Sequence, residues 1–307
     1  MAQPVSVPVC YRHPSRETYV RCTRCDRPIC PDCMRDASVG HQCPECVAEG
    51  RRSIRPPRTA FGGSAAGRQG YVTLTLIGLN VLLMLLAVAT ERGGGLAGGG
   101  FGGIAGTVTP LHLWGALVPR PAIFTETAGG PVVAVVEGVA GGEYYRMVTS
   151  MFLHYGLVHL LLNMWALWVL GRDLEYVLGP FRFLALYLLA GLGGSVAVYY
   201  FGQQDGLTAG ASGAIFGLFG AIFVVLKRLG RDTSAVVPVL VLNLVFTFAI
   251  PGISIAGHLG GLVWGAIVAL GLAYAPKERR TAVQVLVCAA VVVVLVALTL
   301  ARTAALT

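Results

Sequence analysis

Long uncharged apolar runs, rather than amphipathic stripes, divide this chain. They fall at about 71–90, 147–170, 183–201, 207–226, 233–250, 254–275 and 281–300. Several reach the roughly 20 residues needed to cross about 30 Å of hydrocarbon. In lipid the backbone must satisfy its own hydrogen bonds, and runs of this length do so as helices rather than as barrel strands. The pattern therefore predicts an all-α polytopic membrane protein with seven spans. Pro238 and the many glycines kink or thin these helices without excluding them.

Composition agrees. Of 307 residues 55% are hydrophobic and 12% charged, against roughly a quarter charged in a soluble domain. The net charge of +8 is read by position rather than as a sum. Eleven of the 23 Lys and Arg precede residue 71. Arg172, Arg182, Lys227, Arg228, Arg231, Lys277, Arg279 and Arg280 flank alternate connections, whereas 202–206 and the turn at Pro251–Gly252 carry none. The positive-inside rule then predicts a multi-pass protein, expected in a bacterial cell membrane, with the N-terminus cytoplasmic and the C-terminus extracytoplasmic. No apolar h-region lies near the start, so the first internal span is expected to direct insertion.

Ahead of the spans lies a different composition. Seven of the eight cysteines fall between Cys10 and Cys46. Cys10-x2-His13, Cys22-x2-Cys25, Cys30-x2-Cys33 and Cys43-x2-Cys46 form four ligand pairs, a spacing that suits structural zinc in a reducing compartment. Eight ligands imply two zinc ions, held in closed sites with no catalytic role. Residues 1–47 thus read as a zinc-binding module and 48–70, rich in Arg, Pro and Gly, as a flexible basic linker before a transmembrane domain at 71–300. Nucleic acid is an unlikely target, because no basic recognition helix stands out. A cytosolic protein partner fits such a module better.

The connection from Glu91 to Glu143 is long and glycine-rich, yet holds Leu111, Trp114, Ile123, Phe124 and the apolar stretch Val132–Val136. Trp114 suggests a segment lying partly in the outer interface.

Polar side chains inside the spans mark function by default. His159 and Asn163, four residues apart, present an imidazole and a carboxamide on one helical face, where both can donate to an oxyanion. Ser212 opens a span after a glycine-rich entry, where helix N-terminal N–H groups are unpaired. His258 supplies a base on another span. Gly213 and Gly217, and Gly257, Gly261 and Gly265, repeat at four-residue spacing, so two backbones can approach and bring Ser212 to His258. Asn243 reads as a helix-packing donor. Each feature taken singly is ordinary helix packing; together they supply nucleophile, base and oxyanion donors.

The sequences Gly210-Ala211-Ser212-Gly213, His159-Leu160-Leu161-Leu162-Asn163 and Gly257-His258-Leu259-Gly260-Gly261, in their order along the chain, resemble the signature of rhomboid intramembrane serine proteases. The resemblance covers roughly 71–300. It implies a six-helix catalytic core with one extra C-terminal transmembrane helix, a Ser212–His258 dyad, and an oxyanion hole of His159, Asn163 and the Ser212 N–H. It also implies a ring at Phe216 stacked on the catalytic imidazole, a supporting place for His154, and substrates that are themselves transmembrane helices in the lipid bilayer. Tyr145-Arg146 stands where the family often has Trp-Arg. The N-terminal pairs resemble B-box zinc fingers, which implies cross-bracing: Cys10, His13, Cys30 and Cys33 on one ion, Cys22, Cys25, Cys43 and Cys46 on the other. Sequential pairing is the alternative. Against the protease stands a second class, a non-catalytic rhomboid-like adaptor that binds transmembrane helices and recruits partners through the zinc module. A transporter lacks any inverted repeat.

Overall fold

The computed structural model describes residues 7–53, 57–65, 69–90, 108–127 and 130–307. The chain divides into two compact units, Met1–Pro57 and Arg58–Thr307.

In the first unit two short antiparallel strands, Arg35–Asp36 (β1) and His41–Gln42 (β2), precede the helix Pro44–Ser53 (α1). Its interior is almost wholly cysteine: among the described residues Ile29 is the one other fully enclosed apolar side chain, with Tyr11 and Met34 packed alongside. A core this small rarely holds a domain together without an added cross-link.

The second unit is a helical bundle. Tyr71–Ala89 (α2) is followed, beyond residues outside the described set, by Pro110–Gly115 (α3) and a hairpin of Ala122–Thr127 (β3) and Gly130–Val136 (β4). Then come Arg146–Thr149 (α4), Gly156–Leu178 (α5), Pro180–Phe201 (α6), Ser212–Arg228 (α7), Val236–Ala249 (α8), Ile255–Tyr274 (α9) and Arg280–Leu306 (α10). Among the described residues five helices (α2, α5, α6, α9 and the last, counted from Lys277) are long and apolar enough to cross a membrane. The other two apolar helices, α7 and α8, are shorter, at 17 and 14 residues, which at 1.5 Å per residue makes them about 25 and 21 Å long.

Several expected boundaries move, each for a local reason. The second span starts at Gly156, not 147, because α4 and the 3-10 turn Ser150–Phe152 end in extended Leu153 and Gly156 turns the chain with φ of 78°. The fourth starts at Ser212, not 207: Thr208 exchanges both backbone hydrogen bonds with Leu117 at 2.9 Å and so cannot be helical. The stretch 48–70 is not all linker. Its first residues complete α1, and Thr59–Gly63 forms a turn that buries Phe61, whose carbonyl accepts from Gln284 Nε2 of α10 at 3.2 Å. An aromatic ring amid Arg, Pro and Gly is enough to dock it. Residues 54–56 and 66–68 of that stretch lie outside the described set, as do 91–107 of the following loop.

The rest of that loop is not purely helical or irregular. Alternation in Ile123–Phe124 and Val133–Val136 makes a hairpin, with Val133 and Val135 exposed and Val136 buried. Trp114 is exposed and stacks on Tyr145, with centroids 5.4 Å apart. Buried Arg146 ties the segment down: Nη1 donates to the Leu113 and Ala116 carbonyls at 2.8 and 2.9 Å, and Nε to Glu143 Oε2 at 2.7 Å. Burial pushes the Glu143 carboxyl up, but the Arg146 hydrogen bond and the Gly138 N–H outweigh it and hold it below the usual carboxylate range. A charge-assisted bond of this kind is worth about 1.5–3 kcal/mol.

At the opposite end of the bundle Glu175 of α5 is buried and caps α2, accepting from Val72 N, Thr73 N and Thr73 Oγ1 at 2.8–2.9 Å. The carboxylate fills the role that α2 itself lacks, since its own N-cap is Gly70, and it faces the positive end of the helix dipole.

Candidate active site

Three glycine faces build the centre of the bundle. On α6, Gly194 lies against the Gly257 carbonyl of α9, and a Cβ there would stand 2.8 Å from that oxygen. On α9, a Cβ at Gly261 would run into the Gly213 carbonyl of α7, and one at Gly265 into the Gly217 backbone. No side chain larger than hydrogen fits, so α7 and α9 touch backbone to backbone, as their four-residue glycine spacing predicts.

This contact sets Ser212, the first residue of α7, and His258, one turn into α9, on the wall of a single cavity of about 540 Å³. His159, Asn163, Gly210, Phe216 and Asn243 line it too. His258 is buried, and the Phe216 ring stacks on it with centroids 4.0 Å apart and planes 16° from parallel. The two helices begin differently: α7 leaves its first N–H groups without a side-chain cap, whereas α9 is capped. The first bond of α7 runs from Ile215 N to Ala211 O, so the N–H groups of Ser212, Gly213 and Ala214 precede the ladder. In α9 the Ser254 hydroxyl caps Gly257 N at 3.2 Å.

His159 faces Gly210. A Cβ at Gly210 would lie 2.9 Å from His159 Nε2, and the residue has φ of 141°, so glycine is required on two counts. The Tyr155 N–H donates to His159 Nδ1 at 3.3 Å. A neutral imidazole with an acceptor Nδ1 carries its proton on Nε2, the atom beside Gly210. Asn163 Nδ2 gives one hydrogen to the His159 carbonyl at 2.8 Å and keeps a second.

His154 does not line the cavity. It is buried behind it, edge-on to His159 with centroids 4.9 Å apart, and its Nε2 accepts from Ala211 N at 3.5 Å. Asn243 lines the cavity, but its amide donates to Val239 O of its own helix at 2.8 Å rather than to a neighbour. Two residues not singled out in the sequence join the site. Thr247 of α8 hydrogen-bonds His258 Nδ1 at 2.8 Å. His112 of α3 is buried, with Nε2 donating to the His154 carbonyl at 3.1 Å while Nδ1 accepts from Thr109 N. The only sequence signal for either is a polar residue in an apolar stretch.

In the first unit the ligand pairs converge crosswise: Cys10, His13, Cys30 and Cys33 in one group, Cys22, Cys25, Cys43 and Cys46 in the other, each with its donor atoms within 4.8 Å of one another. His13 Nδ1 lies 3.2, 3.4 and 3.8 Å from Cys30, Cys33 and Cys10 Sγ, and Cys25 and Cys43 Sγ are 3.8 Å apart. Tetrahedral zinc with bonds of about 2.3 Å to sulfur and 2.0 Å to nitrogen places its ligands roughly 3.5–3.8 Å apart, so the donor set fits. Burial pushes the Cys10 thiol up, but N–H groups of Arg12, Cys30 and His13 outweigh it and bring it down to about 6; N–H groups of Cys43, Arg24 and Cys25 do the same for Cys22.

Known proteins share part of this sequence. Residues 141–275 match the rhomboid domain. The rhomboid protease GluP of Bacillus subtilis is 41% identical over 144 residues, 44% of this chain and 27% of that protein. A second Bacillus subtilis protein, YdcA, also a rhomboid by name, is 38% identical over 148 residues, 47% of this chain and 74% of that protein. RHOMBOID-like protein 5 of Arabidopsis thaliana is 33% identical over 147 residues, 45% of this chain and 47% of that protein. The chain thus spans about a quarter of the first of these, three quarters of the second and half of the third.

Proposed function

The chain belongs to the rhomboid family, and on that premise we propose that it is an intramembrane serine endopeptidase that cleaves transmembrane helices of other membrane proteins, with Ser212 as nucleophile and His258 as base. The observation that carries this reading is the glycine contact of α7 on α9, which puts a helix-N-terminal serine and a ring-stacked imidazole on one cavity wall.

Ser212 Oγ attacks the carbonyl carbon of the scissile peptide, and its proton passes to His258 Nε2. The charge that develops on the carbonyl oxygen meets the Ser212 N–H, His159 Nε2–H and the second Asn163 N–H. Collapse breaks the C–N bond, and the proton moves from Nε2 to the departing amine. A water molecule then attacks the acyl-enzyme, gives its proton to His258, and Ser212 recovers a hydrogen as the acid leaves. Losing one oxyanion donor costs roughly 3 kcal/mol, about a hundredfold in rate, so Asn163→Ala should be slow rather than dead. A substrate helix must unwind to offer its carbonyl, so helix-breaking residues at the cut should speed cleavage.

The domain division follows: a module at 1–47, extended by the rest of α1 to Ser53, whose two Cys/His groups would hold two structural zinc ions, and a protease domain at 71–300. When bound, zinc would cross-link a unit that has almost no apolar core. The cavity is lined by Gly202, Gln203, Gly252 and Ser254, from the connections without Lys or Arg, which favours a site open to the extracytoplasmic face. The adaptor reading is less favoured, because an adaptor needs neither Ser212 nor His258.

The test is incubation of detergent-solubilised protein with a model transmembrane substrate, wild type beside Ser212→Ala. Cleavage by the wild type alone supports the protease. Equal cleavage by both removes Ser212 from the mechanism, and binding without cleavage by either favours the adaptor.

A further inference from the structure

Among the residues of α8, Thr247 is the one that is buried, at 2% exposure. Its Oγ1 lies 2.8 Å from the Asn243 carbonyl, four residues back on the same helix, and 2.8 Å from His258 Nδ1 on α9. A threonine hydroxyl has one hydrogen to give, and a carbonyl oxygen can only accept. The hydrogen therefore goes to Asn243 O, in the back-bonding habit of threonine in helices, and the lone pairs of Oγ1 are left for His258. Nδ1 must then be the donor. A neutral imidazole carries one proton, so placing it on Nδ1 leaves Nε2 unprotonated.

Resting on the protease reading, we propose that Thr247 is a positioning residue that holds His258 in the Nδ1–H tautomer, so that Nε2 is free to take the Ser212 proton. The hydroxyl does from a neighbouring helix what a carboxylate does in a triad: it selects the tautomer, fixes the ring plane, and keeps an acceptor on Nδ1–H when the ring becomes imidazolium. Phe216 holds the face of the ring and Thr247 its edge. The chain of bonds Asn243 O, Thr247 Oγ1, His258 Nδ1 also links α8 to the base, so activity depends on α8 being docked.

The test compares wild type, Thr247→Val, Thr247→Ser and Ser212→Ala on a model transmembrane substrate. Valine keeps the shape and removes the acceptor. It should lower kcat about 10- to 100-fold, the scale seen when the hydrogen-bond partner orienting a metal-ligating histidine is removed and less than the roughly 10⁴-fold loss on replacing a triad carboxylate, with KM little changed. Serine, which restores the hydroxyl, should recover most of the rate. Nitrogen NMR on histidine-labelled protein, with the His258 signals identified by their loss in His258→Ala, should show an unprotonated Nε2 in the wild type and in Thr247→Ser, and a growing Nε2–H population in Thr247→Val. If valine does not fold, Thr247→Ala takes its place in both measurements. Unchanged kcat together with an unchanged tautomer in the hydroxyl-free variant would overturn the assignment, as would a wild-type His258 already protonated on Nε2. Those outcomes differ from failure of the protease reading, in which wild type and Ser212→Ala are indistinguishable.

Discussion

The Phe216 ring lies flat on the His258 imidazole, centroids 4.0 Å apart, and covers one face of it. Phe216 is one turn beyond Ser212 on α7, so the helix that carries the proposed nucleophile also carries the plate stacked on its proposed base. A catalytic pair with no carboxylate has to obtain its geometry from packing of this kind. Phe216→Leu should keep the fold but let the ring swing, lowering kcat about tenfold with KM nearly unchanged, whereas Phe216→Tyr should stay near wild type. Equal rates for leucine and phenylalanine, measured on a model transmembrane substrate, would remove the ring from the mechanism.

Why the site was legible and its support was not follows from what a linear pattern can carry. Glycines four apart on two apolar runs specify a close helix contact whatever lies between them, so Gly213, Gly217, Gly261 and Gly265 announced the meeting of α7 and α9. His159 and Asn163 share a face by helical period alone. Thr247 gave no such signal, because a threonine that bonds its own i−4 carbonyl is common in membrane helices, and its second contact depends on where α8 rests. His112 sits in a six-residue helix too short for any period. Phe61 was hidden by its neighbours: Arg, Pro and Gly read as linker, and one aromatic side chain decides otherwise. In the first unit, spacing gave the pairs, but the crosswise grouping needed the fold to bring residue 13 to residue 30 and residue 25 to residue 43.

The metal groups make a stoichiometric prediction. Purified full-length protein should contain two zinc ions per chain, and Cys43→Ser should lose one of them while the other site stays filled. Chelation should expose the seven N-terminal thiols to a labelling reagent, because little besides cysteine fills that interior. Cleavage of a simple substrate should change little, since no ligand of either group belongs to the cavity. Elemental analysis beside thiol counting decides it: one zinc or none refutes the four-pair arrangement.

Acid stability should show the mark of His112. Burial brings its imidazole down to about 4, against an opposing contribution from the bond to the His154 carbonyl. The unfolded chain binds its proton near pH 6.5, so between about 6.5 and 4 the unfolded state holds more protons than the folded one. Stability is therefore complete above pH 6.5 and is lost as pH falls through this window, by about 3 kcal/mol from this residue alone. His154, also held well below its usual range by burial and by the neighbouring rings of His159 and His112, loses stability in the same direction. His112→Gln can still donate to the His154 carbonyl but does not titrate. Unfolding measured across pH 4–7 should slope less steeply in this variant than in the wild type; parallel curves would mean that His112 is not held neutral.

Topology gives the last expectation, and it rests on charge. If α7 and α8 cross the membrane along with the five longer helices, seven spans would place the chain ends on opposite sides. Eleven basic residues precede residue 71 and eight more flank the connections after α5, α7 and α9, whereas Arg92, Arg120, Arg146 and Arg302 are those left for the other side. Arg146 is spent on the Leu113 and Ala116 carbonyls and on Glu143, so it weighs little in the balance. The first unit should then face the cytoplasm, and the end of α10 the opposite side. Ser212 follows a cation-free connection and opens a helix that ends in Lys227 and Arg228, so it should lie toward the outer leaflet and cleavage should release an extracytoplasmic fragment. Cysteines introduced one at a time at Gly206, Gly230 and Thr307, in a background with Cys288 replaced, can be labelled from either face of sealed vesicles, with the label located on proteolytic fragments to separate it from the seven N-terminal thiols. Positions 206 and 307 should react from outside and 230 from the cytoplasm. Labelling of 206 from the cytoplasm would invert the site, and labelling of 206 and 307 from opposite faces would mean that the helices between them are not all spans.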